Sequence, residues 1–211
     1  MRLWQLALAL VTLVSAGTAP AAGGKTVDRM YVLDCGNIRL LDKGRYISPG
    51  ENVGVEINLL NSCYLIRRGK DWVLWETGFS DATAGQPPST GPIQGSLAVS
   101  LQSQLLKLGL KPGDLKYVMI SHTHPDHSGN VDLFGSVPLL MQRTEYDFAF
   151  APSKKPPFSP DRPVEKLEGD RDVFGDGSLV LVATPGHTPG HQSLLVHLKR
   201  TGYVLLESFW S

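Results

Sequence analysis

The sequence predicts a mixed α/β (α+β) domain whose loops carry a divalent-metal site. Three observations lead there. Short apolar runs of strand length alternate with a helix-length amphipathic segment and with turn residues. About 190 residues remain once an export segment is set aside, enough for one domain with a real core. The stretch Ser121-His122-Thr123-His124-Pro125-Asp126-His127 gathers three of the chain's six histidines and a carboxylate just past a strand.

Arg2 precedes an almost unbroken apolar run from Leu3 to Val14, then small residues up to Ala19-Pro20-Ala21-Ala22. A basic tip, a short apolar core and an Ala-x-Ala site make a secretory signal peptide over residues 1–22. The run falls short of the roughly 20 residues a membrane span needs, so a retained anchor is the alternative reading. The expected protein is secreted or periplasmic, with residues 23–211 as its single domain and no stable membrane span after cleavage. The chain carries 20 acidic and 20 basic residues without a charge run, which argues against nucleic acid and anionic membrane surfaces as partners.

Tyr31 to Gly36 reads as a first strand. Asn58 to Ile66 and Trp72 to Trp75 read as a hairpin around a Gly-containing turn, ending in Glu76-Thr77-Gly78. Residues 85–92 and 151–163, rich in Pro, Gly and Ser, read as loops. Leu97, Leu101, Leu105 and Leu108 share one face of a helix stopped by Gly109. Lys116 to Ile120 is a short buried strand, and Thr144 to Phe150 a short helix. Leu179 to Ala183, Ser193 to Leu198 and Tyr203 to Leu206 are further strands, the last two forming a hairpin. Cys35 and Cys63 sit in apolar strand-like surroundings. Buried free thiols are the favoured reading, with a disulfide open to an exported protein.

Imidazole and carboxylate are the usual ligands of zinc and of iron or manganese. Side chains two apart on an extended segment point the same way, so His122 and His124 can close on one ion. Asp126 and His127 follow a change of direction at Pro125 and can face a second ion. His187 repeats the placement of His122, in a Pro-Gly turn after a strand, and reads as a further ligand. His191 reads as a donor that orients this loop from behind, with a solvated turn residue as the alternative. His197 lies within a strand and reads as a surface or packing residue.

His122-x-His124-x-Asp126-His127, with His187 in Thr-Pro-Gly-His, resembles the metallo-β-lactamase superfamily. Tyr31 to Gly36, Ser121 to Asn130 and Thr184 to Leu194 resemble segments of its acyl-homoserine-lactonase-type hydrolases. The resemblance implies an αββα sandwich with two metals, usually zinc, at one edge of the sheets. His122, His124 and His187 would hold the first ion, and Asp126 and His127 the second. A metal-bound hydroxide would attack a carbonyl of a lactone or related ester or amide, with Asp126 orienting it. Thioester hydrolysis of the glyoxalase II kind and β-lactam hydrolysis are the alternatives within enzymes, and a metal-binding fragment without catalysis is the alternative outside them.

Two positions depart from the family pattern. Glu76 stands where the family has Asp, one methylene longer but still able to support the loop. After Tyr203 to Leu206 the family has a Gly-Asp whose Asp bridges both metals, then a later His. Here the chain reads Glu207-Ser208-Phe209-Trp210-Ser211, with no His after His197. The expectation is therefore a fold whose second half is incomplete, a second ion held less tightly than the first, and oligomers or aggregates formed through an open strand edge.

Overall fold

The computed structural model describes residues 25–46 and 51–207, so the export segment expected at 1–22 lies outside the described residues. Alternating burial along the two longest strands sorts their side chains into two cores. On β1 (Arg29–Leu40) and β2 (Ile57–Arg68), Leu33, Cys35, Cys63 and Leu65 enter one core, while Met30, Tyr64 and Ile66 turn to the other. β3 (Asp71–Trp75) does the same with Leu74 on one side and Val73 and Trp75 on the other.

These strands belong to a seven-stranded sheet that also holds β4 (Ile93–Ser96), β5 (Tyr117–Met119), β6 (Leu139–Gln142) and β7 (Val164–Leu167). Its order is β4-β1-β2-β3-β5-β6-β7, antiparallel from β4 to β3 and parallel from β3 to β7. The short strands β8 (Arg171–Asp172), β9 (Leu179–Ala183), β10 (Gln192–Leu198) and β11 (Gly202–Leu206) form an antiparallel four-stranded sheet in the order β11-β10-β9-β8. Leu179, Leu181, Leu194, Val196 and Leu206 of this sheet meet Ile66, Val73, Trp75, Met119 and Leu140 of the first in one core. The expected face-to-face sandwich is what the chain builds.

The other core lies between the large sheet and its covering helices. α1 (Leu101–Lys107) contributes Leu101 and Leu105, and Tyr146 of α3 (Arg143–Ala149) packs against the same cluster. α1 starts four residues later than its periodicity suggests, because Ser100 caps it by accepting from the Ser103 N–H at 3.2 Å. Leu97 is still buried but lies in a bridge to Ala84. The opposite face of the small sheet leaves Tyr203 and Leu205 exposed.

The cysteines correct the sequence reading. Both are buried, as expected, but they are bonded to each other, with Cα atoms 5.7 Å apart. The cause is register. Cys63 lies opposite Leu33 on the neighbouring strand, and a bulge between Asp34 and Asn37 brings Cys35 alongside it. Gly36 makes the bulge, with φ at 122° and only 2.6 Å between a would-be Cβ and the Ser96 carbonyl oxygen. Cross-strand register depends on such local irregularities, which a pair of lone cysteines does not reveal.

Candidate metal centre

Two loops leave strand ends on the same edge of the sandwich and bring the histidines together. The first follows β5 and turns into the one-turn helix α2 (Pro125–Ser128), with His124 as its N-cap and Pro125 at its start. The second, Thr184 to His191, joins β9 to β10. Gln192 couples them: its backbone N–H donates to the Ser121 carbonyl at 3.0 Å, and its side-chain amide to the Ile120 carbonyl at 2.8 Å.

His122, His124 and His187 each offer a ring nitrogen, and the three lie within 4.8 Å of one another. His124 Nδ1 is 2.9 Å from His122 Nε2 and 3.0 Å from His187 Nε2. Burial, then the neighbouring imidazoles, lowers the pKa of His122. Burial and His187 do the same to His124. Three imidazoles that bring their nitrogens within 4.8 Å of one another fit a divalent cation. Three protein ligands with a fourth position open is the pattern of catalytic zinc.

Asp126 and His127 stand beside this group rather than in it. His127 Nε2 lies 3.2 Å from Asp126 Oδ2, and His127 Nδ1 lies 3.2 Å from Glu76 Oε2. Burial disfavours a charged His127, but the two carboxylates outweigh it and push its pKa up to about 10. Burial would raise the Asp126 carboxyl, yet the bond from His127 holds it below the usual range. Glu76 Oε2 and His127 Nδ1 are buried without an aligned hydrogen-bond partner among the described residues, so this contact is an ion pair. Glu76 adopts a left-handed φ of 67°, which turns its carboxylate out of β3 so that Oε1 accepts from the Ser121 N–H at 3.1 Å. Such a conformation costs on the order of 1–3 kcal/mol and persists only where its surroundings over-determine it.

His191 is buried in the second loop. Its Nδ1 lies 2.9 Å from Thr184 Oγ1 and 3.1 Å from the Thr184 carbonyl, and its ring centre lies 5.4 Å from that of His122. His197 is remote, stacked on Tyr203 with ring centres 4.2 Å apart. Thr77 lies in the Glu76-Thr77-Gly78 turn that the sequence marks, whereas two other supporting residues, Asn61 and Glu145, carried no sequence signal. Thr77 donates to the His127 carbonyl from both N–H and hydroxyl, Asn61 donates to the Asp126 carbonyl at 2.6 Å, and Glu145 accepts from both loops. All are buried polar groups whose partners lie far away in sequence.

Two cavities open onto this edge. The larger, about 480 Å³, has Ile38, Leu40, Phe79 and Ile93 on its walls and His124 and His187 at one side. The smaller, about 260 Å³, is lined by Glu76, His127, Trp75 and Leu206. Asp126 borders both.

Residues 58–205 match the family model of the metallo-beta-lactamase superfamily. The chain is 31% identical over 202 residues to the N-acyl homoserine lactonase AttM of Azorhizobium caulinodans, covering 84% of this chain and 74% of that one. It is 30% identical over 191 residues to the N-acyl homoserine lactonase AiiA of Bacillus thuringiensis subsp. kurstaki, covering 86% and 75%. A solved N-acyl homoserine lactone hydrolase, with its product N-hexanoyl-L-homoserine at the catalytic metal centre, superimposes with a TM-score of 0.75 at 30% identity, over 86% of this chain and 75% of that one. The chain belongs to the metallo-beta-lactamase superfamily and is a metal-dependent hydrolase.

Proposed function

We propose that the protein is a zinc-dependent lactonase acting on lactones with an apolar acyl tail, N-acyl homoserine lactones among them. The observation that carries this reading is the placement of His122, His124 and His187 at the side of a cavity walled by Ile38, Leu40, Phe79 and Ile93. An uncharged wall of this kind suits an acyl chain, and the relatives of known activity support the lactone head group. His122, His124 and His187 would hold the first zinc, and Asp126 and His127 would face a second, which His127 would ligate only on giving up its ring proton. A bound cation polarises a carbonyl and brings water's pKa from 15.7 to about 7.

The chain's own groups do the rest. Asp126, ionised and steadied by His127, accepts a hydrogen bond from the attacking water and takes up its proton. Water adds to the carbonyl carbon, the ring ester C–O bond breaks, and the proton passes to the leaving oxygen. The product is the open-chain hydroxy acid. Glu76 holds His127 in place, and His191 braces the second loop through Thr184.

Export to an oxidising compartment, secreted or periplasmic, is part of the proposal. The Cys35–Cys63 bond supports it, because such bonds persist outside the reducing cytosol. Among the described residues no helix is long and apolar enough to cross a membrane. Self-association through β11, an edge strand of the small sheet among the described residues, with exposed Tyr203 and Leu205, is also proposed.

The test is hydrolysis of a lactone series with growing acyl chains, before and after chelation and zinc return. The expected result is zinc-dependent ring opening whose KM falls as the acyl chain lengthens. Turnover of a β-lactam or a thioester in preference to every lactone would overturn the reading.

A further inference from the structure

We propose that Glu145 is a positioning residue for the metal centre, setting the distance between the two histidine loops. The idea rests on the reading of His122, His124 and His187 as zinc ligands. Glu145 lies on α3 and is 0% exposed. Its Oε1 accepts from the Thr123 N–H at 2.9 Å and from the Thr123 hydroxyl at 2.7 Å. Its Oε2 accepts from the Thr188 hydroxyl at 2.6 Å and from the Gly190 N–H at 3.2 Å.

Thr123 stands between His122 and His124, and Thr188 directly follows His187. One carboxylate thus serves two loops 60-odd residues apart, an oxygen for each, without touching a ring nitrogen. No ion pair joins it among the described residues, so its charge is satisfied by those four donors alone. The second loop lies directly on α3. A Cβ at Gly190 would come within 2.1 Å of the Glu145 backbone nitrogen, so only glycine allows the approach. The donor set also explains a carboxylate here. An amide would turn an NH2 towards one pair of donors, and Asp is one methylene too short to span both loops.

The experiment uses the full chain and zinc itself. Zinc affinity is measured by competition with a chromogenic chelator, and metal-free stability by thermal unfolding, for Glu145→Gln and Thr188→Val. Asp132→Asn is the control. Its carboxylate accepts from the Ser159 N–H at 3.0 Å, away from the histidine loops, so it tests plain stability. The expected result is a loss of zinc affinity of about 10- to 100-fold in both Glu145→Gln and Thr188→Val, with the Asp132→Asn affinity unchanged. If Glu145→Gln fails to fold, Thr188→Val decides. Zinc affinity within twofold of the parent, or a loss matched by Asp132→Asn, would overturn the inference. Failure of the parent itself to bind zinc would instead defeat the underlying metal reading.

Discussion

The two histidine loops reach the same point by different means. The first is over-determined. His122 is fully buried, Glu76 accepts from the Ser121 N–H, Thr77 donates twice to the His127 carbonyl, and Asn61 holds the Asp126 carbonyl. The second is held at its ends and at Glu145, with His187 half-buried at its tip, while His124 of the first loop is exposed. The first loop is the more heavily braced template, and the second is pinned to it through Glu145 and Gln192. Both loops border the larger cavity, the first through His124 and Asp126 and the second through His187, so a heavily braced half sets ligand geometry beside that space.

The sharpest way to break the comparison is to remove one ligand from each loop. His122→Ala and His187→Ala are each expected to weaken zinc by more than the roughly 100-fold that losing a supporting partner costs. They should differ in the metal-free protein. His122→Ala opens a cavity in the core and removes the contact of its Nδ1 with the Ser121 hydroxyl at 2.9 Å, so about 1–3 kcal/mol of stability is lost. His187→Ala removes a half-buried side chain from a loop and should cost less, about 1 kcal/mol or below. Urea unfolding in the presence of a chelator reads both. Equal losses would mean that the second loop is as much a part of the folded core as the first.

A second test asks what lies beneath the first loop. The Asn61 amide that holds Asp126 also donates to the Cys35 carbonyl at 3.4 Å, so the Cys35–Cys63 bond underlies the template half alone. The two cysteines are 28 residues apart, and closing a loop of that length stabilises by about 3–4 kcal/mol in the chain-entropy view. The double variant Cys35→Ser/Cys63→Ser should lose about that much stability in denaturant unfolding. A loss below about 1 kcal/mol would show that strand pairing alone supports the first loop.

Much of this contrast can be read in the sequence, and the missing part has physical causes. His122, His124 and His187 announce themselves by ligand chemistry placed just after apolar strands, and the strands with strong apolar runs lie where the runs put them. β4, β6 and β7 were not legible. Ile93-Gln-Gly-Ser contains a glycine and pairs only at an edge, Leu139–Gln142 is a four-residue strand after a proline, and Val164-Glu-Lys-Leu is half charged. Tertiary pairing, not propensity, makes them strands. Glu145 looks like any acid in a helix, and its meaning exists only once two distant loops converge on it. The disulfide depends on a bulge that no local pattern signals.

The smallest expected effect marks the limit of the site. His197 shares the imidazole chemistry of the other five histidines but sits on the outer face of β10, paired with Tyr203 across the strand. Its ring stacks on Tyr203 at an interplanar angle of 12°, and its Nδ1 lies 3.2 Å from the Lys25 carbonyl oxygen. Neither contact reaches the metal loops, so His197→Ala should leave zinc affinity unchanged. The lost cross-strand stack is worth about 0.2–1 kcal/mol, which thermal unfolding can resolve. The substitution separates placement from residue type: if zinc binding fell with His197, the centre would extend along β10, and the two loops would not be its whole frame.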